Sequence, residues 1–383
     1  MDSSKSQIKR AKQLDALAAV LPMAAADRYA EVLTDADVAT LKHLADTGMG
    51  ANTLRALASD LAYLEAWSLA ATGRPLPWPA DPELLLKFVA HHLWDPNQKA
   101  VDPAHGMPDA VIEELWDRRI LKVRGPHAPK TVSRRLANWS TLHQWKRVVG
   151  RFDDTGVRKA IRLAMKASGR TPQRKSRKPV TRDVLDRLLA TCSGSRAIDL
   201  RDRAILLVAF AAGGRRRSEV AGLRHSQITV ADPIKLQPSD PTSPTVPCVR
   251  IALGRTKTTT AGQGAFVFAA GRAAAALQEW MQFAEITSGP VFREVRKDGS
   301  IGASPLSPQS VNLILKKRCR MAGLDPAEFS AHGLRSGFMT QAGRDGIPLV
   351  DAMRQSAHKS VQQAAGYYDE HEHAQSRSVR IDV

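Results

Sequence analysis

Near the C-terminal end, "SAHGLRSG" carries His332 and Arg335, and "QSAHKSVQQAAGYYDEHEH" carries His358 and the adjacent pair Tyr367 and Tyr368. Only four tyrosines occur in the whole chain. His332 and Arg335 are three apart, so a helix starting at Ser330 shows both on one face. That pairs a proton acceptor with an anion clamp. His358 and Tyr367 are nine apart, about 180° around a continuous helix. They share a site only if a helix begins after His358, and Ser360 is suited to cap it. Tyr367 and Tyr368 differ by about 100°, so only one of them points inward. Gly366 weakens the helix before them by about 1 kcal/mol relative to alanine, giving a tyrosine room to move.

Two further groups lie upstream. "GGRRRSEVAGL" sets Arg216 and Glu219 three apart. A carboxylate there holds a guanidinium whose planar fork suits two phosphate oxygens. Taken alone, the pair reads first as a surface ion pair. "GRTKTTTAG" puts Lys257 in a turn between two strands. It is not a phosphate-cradling P-loop, which needs a glycine directly before the lysine and another five residues further back. A lysine in such a turn is either solvated or reaches a leaving oxygen as general acid.

These groups need rigid supports. Leu54, Leu57, Leu61 and Leu64 recur at helical spacing, predicting a helix over 52–72. "RPLPWPADP" breaks it, and Leu84, Leu85, Phe88 and Val89 open another. A third starts near Thr131 with Val132, Leu136, Trp139 and Leu142 on one side and Lys130, Arg134 and Arg135 on the other. From Arg158 to Arg182 there are ten Lys or Arg residues and no acid, predicting an exposed basic linker over its later part. "RDVLDRLLATC" and "LRDRAILLVAFAAGG" are helical, whereas "SQITV", "CVRIAL" and "AFVFA" are short strand-like runs. "ADPIKLQPSDPTSPTVP" and "REVRKDGSIGASPLSP" read as surface loops.

Composition bounds the partners. The formal net charge is +18, which points to nucleic acid ahead of an anionic membrane surface. No segment has 18 apolar residues free of charge, so no spanning helix is expected. Lys5, Lys9, Arg10 and Lys12 ahead of "ALAAVLPMAAAD" resemble a secretory signal faintly, but Asp15 and Pro22 spoil the pattern. A tail leading into a short helix is expected there. Cys192, Cys248 and Cys319 are odd in number and widely separated, which fits a reducing cytoplasm. "HEH" at 371–373 is read as unliganded, and neither a metal nor a cofactor is expected.

In order, Arg216, Lys257, His332, Arg335, His358 and Tyr367 form a pattern that resembles the tyrosine recombinases, or phage integrase family. "RRSE", "GRTKT", "HGLR" and "HKSVQQAAGY" match its R-x-[SAG]-E, turn lysine, H-x-x-R and histidine-to-tyrosine spacing. "GRTKTTTAG", "REVRKDG" and "KTVSRRLANWSTLH" are similar to the Cre branch of that family. The likeness is close over about 180–372 and looser back to about 38. Ser356 and Ala357 depart from it, since the family usually has Leu-Gly before this histidine. Residues 95–123 and 232–247 look like insertions.

The resemblance implies a mainly α architecture. An all-helical core-binding DNA domain over 38–168 follows a tail over 1–37. A basic linker over 169–181 leads to a mostly helical catalytic domain over 182–383 with a small antiparallel β-sheet. It also implies a site-specific recombinase that cleaves and rejoins duplex DNA through a 3′-phosphotyrosyl enzyme. The family's register selects Arg216 among three arginines and Tyr367 over Tyr368 as nucleophile. His332 would accept its proton. Arg216, Arg335 and His358 would hold the non-bridging oxygens, Glu219 would orient Arg216, and Lys257 would protonate the leaving 5′ oxygen. The expected partner is double-stranded DNA with a specific target site, bound as a dimer per site and a homotetramer on two duplexes. The two domains would clamp the duplex. The candidate DNA contacts are Lys130, Thr131 and Arg134, then Asn52, Thr53 and Arg55, with Arg174, Lys175, Arg177 and Lys178 on the linker. Binding is expected to fall steeply with salt. The location would be cytoplasmic, on a bacterial nucleoid or encoded by a phage or plasmid. Two rivals stay open: a type IB topoisomerase, which has lysine where His332 stands, and a DNA-binding protein without catalysis.

Overall fold

The computed structural model describes residues 51–168, 176–237, 239–254, 265–358, 360–362 and 364–367. The expected N-terminal tail, Arg174, Lys175, Lys257, Tyr368 and "HEH" lie outside the described residues. The chain divides into two compact units, Met1–Pro172 and Gln173–Val383.

The described part of the first unit is helical: α1 (Ala51–Thr72), α2 (Pro82–His92), α3 (Pro96–Val101), α4 (Asp109–Asp117), α5 (Pro129–Trp145) and α6 (Thr155–Ala167). Sequence punctuation sets the starts. Asp81 accepts the Leu84 N–H ahead of Pro82, and Asp154 accepts the Val157 N–H. The apolar stripes meet in one core around Leu64, Trp67, Phe88, Leu115 and Trp139, all fully buried. The stretch 95–123, read as an insertion, contains α3 and α4.

The second unit is built round α8 (Ala197–Ala211), a helix buried on nearly every side. Before it runs α7 (Arg182–Ala190), and after it comes the short α9 (Arg217–Ala221). An antiparallel sheet follows, in the order β1 (Ile228–Lys235), β2 (Thr245–Ala252), β3 (Phe266–Ala270). Helix α10 (Arg272–Phe283) precedes the hairpin β4 (Arg293–Val295) and β5 (Ile301–Pro305). Helices α11 (Pro308–Met321), α12 (Ala331–Arg344) and α13 (Leu349–Ser356) complete the described elements.

Two expected loops turn out to contain strands. β1 continues past the expected run through Pro233, with a register shift between Ala231 and Ile234. An edge strand tolerates the missing proline N–H at such a bulge. "REVRKDGSIGASP" is a hairpin whose turn is closed by Asp298, which accepts the Ser300 N–H. Charged and small residues hid both from a reading based on apolar alternation.

Candidate active site

Three chain reversals bring the chemical groups together. The first follows α8, where Gly213 and Gly214 take φ of +84° and +68°. A Cβ on Gly213 would meet the Gln355 carbonyl oxygen, and one on Gly214 would meet Arg335 Cα. Only glycine allows both the backbone shape and the approach.

The arginines after this turn diverge. Arg215 is buried, and its NH2 donates to the Ser356 carbonyl at 2.5 Å. Arg216 is the N-cap of α9. Its NH1 donates to Glu219 Oε1 at 2.9 Å and its backbone N–H to Oε2 at 3.1 Å. Its side chain remains 61% exposed, so the guanidinium is held yet open to a ligand. Arg217 turns to Gln309 at 2.8 Å.

The second reversal opens α12, which carries His332 and Arg335. Residues 176–180 lie against it, and a Cβ on Gly337 would collide with the Val180 backbone. Val180 N–H donates to the Gly333 carbonyl at 2.8 Å. The described part of the expected exposed linker, 176–181, is thus docked on α12 through its backbone. Val180 and Thr181 are buried, and Lys178 pairs with Glu328 at 2.8 Å while Arg177 stays exposed. Two glycines on α12 let the segment dock instead of standing free. Ser330 holds the N-cap backbone position, but its hydroxyl makes no cap hydrogen bond.

His332 is exposed, while Arg335 is buried. Arg335 NH1 donates to the carbonyls of Ser356 at 2.8 Å and Gly214 at 3.1 Å. Arg215 and Arg335 therefore grip the same carbonyl from two directions.

The third reversal separates His358 from Tyr367. Helix α13 ends at Ser356, and Ala357 takes the left-handed conformation, φ 51° and ψ 41°. Helical backbone resumes at 361, with the Ala364 N–H bonded to the Ser360 carbonyl at 3.1 Å. The break undoes the 180° separation, and the rings of His358 and Tyr367 lie 6.1 Å apart. Tyr367 is half-buried against a small cluster that includes Met339, Ala342 and Ala364.

The electrostatics follow from this crowding. Arg335 is pushed down to about 10, first by burial, then by Arg215 and Arg216. His358 is pushed down to about 4, again by burial first, then by Arg335, Arg215, Arg216 and His332. Burial also lowers Arg215. The groups that depress His358 beyond the effect of burial are all basic. An anionic ligand would relieve them. Among the described residues, no group of three His, Cys, Asp or Glu could hold a metal ion.

In the first unit, Thr53 and Arg55 lie in the first turns of α1, as does Asn52. Exposed Lys130 and half-buried Thr131 lie in the first turn of α5. Arg134 is half-exposed and is held by an acid. Its NH1 donates to Asp60 Oδ2 at 2.5 Å, and Asn138 donates to the same oxygen at 2.6 Å. Arg135 reaches the other oxygen at 3.4 Å and stacks its guanidinium 3.3 Å over the Tyr63 ring. Asp60 is 1% exposed, and a buried carboxylate binds whatever cations reach it. Helical periodicity placed Arg134 on the polar side of α5 but gave no sign of an acid on α1.

Sequence reasoning also missed the parts played by Arg215, Gln355 and Ser356. Gln355 Nε2 donates to the carbonyls of Ala211 at 3.0 Å and Phe268 at 2.5 Å, tying α13 to α8 and β3.

Residues 178–374 match the phage integrase family, about half of the chain and all of the described site. An integrase/recombinase XerD homologue of Selenomonas ruminantium is 31% identical over 249 residues, 63% of this chain and 68% of that protein. The tyrosine recombinase XerD of Xanthomonas campestris pv. campestris is 27% identical over 268 residues, 67% of this chain and 72% of its own length. The XerH site-specific recombinase bound to difH, in its pre-cleavage complex, superposes with a TM-score of 0.50 at 14% identity, covering 88% of this chain and 83% of that one. At that identity the likeness concerns the fold. The chain belongs to the phage integrase family and is a tyrosine recombinase.

Proposed function

We propose that this protein is a site-specific DNA recombinase with Tyr367 as its nucleophile. The observation that carries the reading is the approach of one phenol to a cluster of buried and half-buried basic groups that only an anion would complete. The Tyr367 oxygen bonds to the scissile phosphorus as the bond to the 5′ oxygen breaks. Its proton passes to His332, and Lys257 gives a proton to the departing 5′ oxygen. A phenol of pKa near 10 needs such a base at neutral pH. Arg216, steadied by Glu219, together with Arg335 and His358, binds the non-bridging oxygens and offsets the charge that develops on them. The phosphotyrosyl bond stores the diester energy, so a second 5′-hydroxyl rejoins the strand without ATP.

The partner is duplex DNA with a defined target, bound as a dimer per site and exchanged in a tetramer of two duplexes. Within the first unit, residues 38–168 serve as the core-binding domain, and residues 182–383 serve as the catalytic domain. Lys130, Thr131, Asn52, Thr53 and Arg55 contact the DNA, with Arg134 set by Asp60. Arg174, Lys175, Arg177 and Lys178 add phosphate contacts. The turn block around Lys257 and the sequence of α5 favour the Cre branch, whereas the relatives compared above are Xer proteins. A cytoplasmic setting keeps the three cysteines reduced.

The test is strand transfer. Target sites selected from a random library are placed on two differently labelled duplexes. Recombinant joints support the reading, whereas relaxation of supercoils without joints would assign the chemistry to a topoisomerase.

A further inference from the structure

Ser356 is fully buried, and its Oγ lies 2.6 Å from His358 Nδ1. The other neighbour of this hydroxyl is the Met353 carbonyl, at 3.4 Å. That carbonyl already accepts backbone N–H groups from His358, at 3.1 Å, and from Ala357. It needs no third donor, and 3.4 Å is long for a hydroxyl bond. The hydroxyl proton therefore goes to the shorter contact, with Nδ1 as acceptor.

The direction of this bond matters because a neutral imidazole has one N–H to offer. Arg335, Arg215, Arg216 and His332 face His358 from their own segments, and the Tyr367 ring lies beside it. Burial first, and these basic groups after it, keep the ring neutral near pH 7, so its tautomer decides what it presents. With Nδ1 occupied as an acceptor, the proton sits on Nε2. The opposite tautomer would turn a lone pair, in place of a donor, toward a phosphate oxygen.

The geometry points to Ser356 as a positioning residue that fixes His358 as the Nε2–H tautomer, the form that donates to a non-bridging oxygen of the scissile phosphate. This rests on the recombinase reading of the site. The leucine usual in the family at this position has no hydroxyl to act in this way.

Long-range ¹H–¹⁵N spectra of the full chain labelled with [¹⁵N]histidine test the inference directly. Wild type shows His358 protonated at Nε2, and Ser356→Ala shows a mixture of tautomers. An Nδ1–H form in wild type, or an unchanged single tautomer in Ser356→Ala, overturns it. Single-turnover cleavage gives the second arm. Ser356→Ala slows adduct formation about 10-fold at unchanged DNA affinity. In a His358→Ala background the same change has no further effect, while an equal loss there would mark a merely structural role. If wild type itself forms no adduct, the recombinase reading fails, and the spectra still decide the tautomer.

Discussion

Two arginines of the second unit are almost equally hidden, and their surroundings are opposite. Arg318 on α11 is 1% exposed. It donates to Asp202 Oδ2 from Nε at 2.8 Å and to Asp199 Oδ1 from NH2 at 2.9 Å. Arg201 completes the set by donating to Asp202 Oδ1 at 2.7 Å. Arg335 on α12 is 5% exposed and meets only backbone carbonyls among its described hydrogen-bond partners. The two carboxylates raise the pKa of Arg318 against the effect of burial, while burial and two more arginines lower that of Arg335. The first guanidinium is neutralised inside the protein and serves packing. The second is held in place without being neutralised, which leaves its charge for a ligand. In the first unit, Asp60 likewise gathers Arg134, Arg135 and Asn138, but Arg134 stays half-exposed and burial still lowers the pKa of Arg135. Burial of a basic residue is thus uninformative until the acids around it are counted.

The contrast can be broken by exchanging each arginine for glutamine. Arg318→Gln leaves Asp199 and Asp202 short of a cation. Thermal and urea unfolding should then show a loss of about 3–5 kcal/mol, with cleavage per folded molecule unchanged. Arg335→Gln should do the reverse. Cleavage at saturating DNA falls roughly 10²–10³-fold, and unfolding shifts little because a mutually repelling charge is gone. Equal stability losses in the two variants would erase the distinction.

Histidine titration sharpens it further. His91 in the first unit and His358 in the second are both pushed down to about 4, and burial is the first cause in each. For both, the folded pKa lies below the unfolded value of about 6.5. Their contribution to stability is complete above that value and is lost as pH falls from there toward 4. Adding duplex DNA should raise the pKa of His358 in NMR titrations and leave that of His91 unmoved. The smallest effect concerns the backbone beside the site. Ala357 occupies a left-handed C-cap where glycine carries no penalty. Ala357→Gly should stabilise the second unit by about 1 kcal/mol in urea unfolding.

Much of this was legible in the sequence. The apolar stripes gave α1, α2 and α5, because burying one face of a helix leaves a period of 3.6. The need for a helix break between His358 and Tyr367 followed from rotation alone, and the structure shows it at Ala357 and Ser360. The fates of Arg215, Arg216 and Arg217 did not follow from their order. They depend on Ser356, Glu219 and Gln309, two of which are distant in the chain. The hydroxyl of Ser356 was visible only as a departure from a family habit, since its partner is chosen by how α13 ends. Strands β4 and β5 were hidden by charged and small residues that satisfy backbone pairing without alternating.

The central claim is that the phenol of Tyr367 becomes bonded to the DNA backbone. A duplex nicked beside the cleavage point should trap the covalent intermediate, which can then be digested and mapped by mass spectrometry. The account predicts a nucleotide on Tyr367, no conjugate with Tyr367→Phe, and a conjugate retained with Tyr368→Phe. A nucleotide on any other residue, or a conjugate that survives Tyr367→Phe, would contradict it.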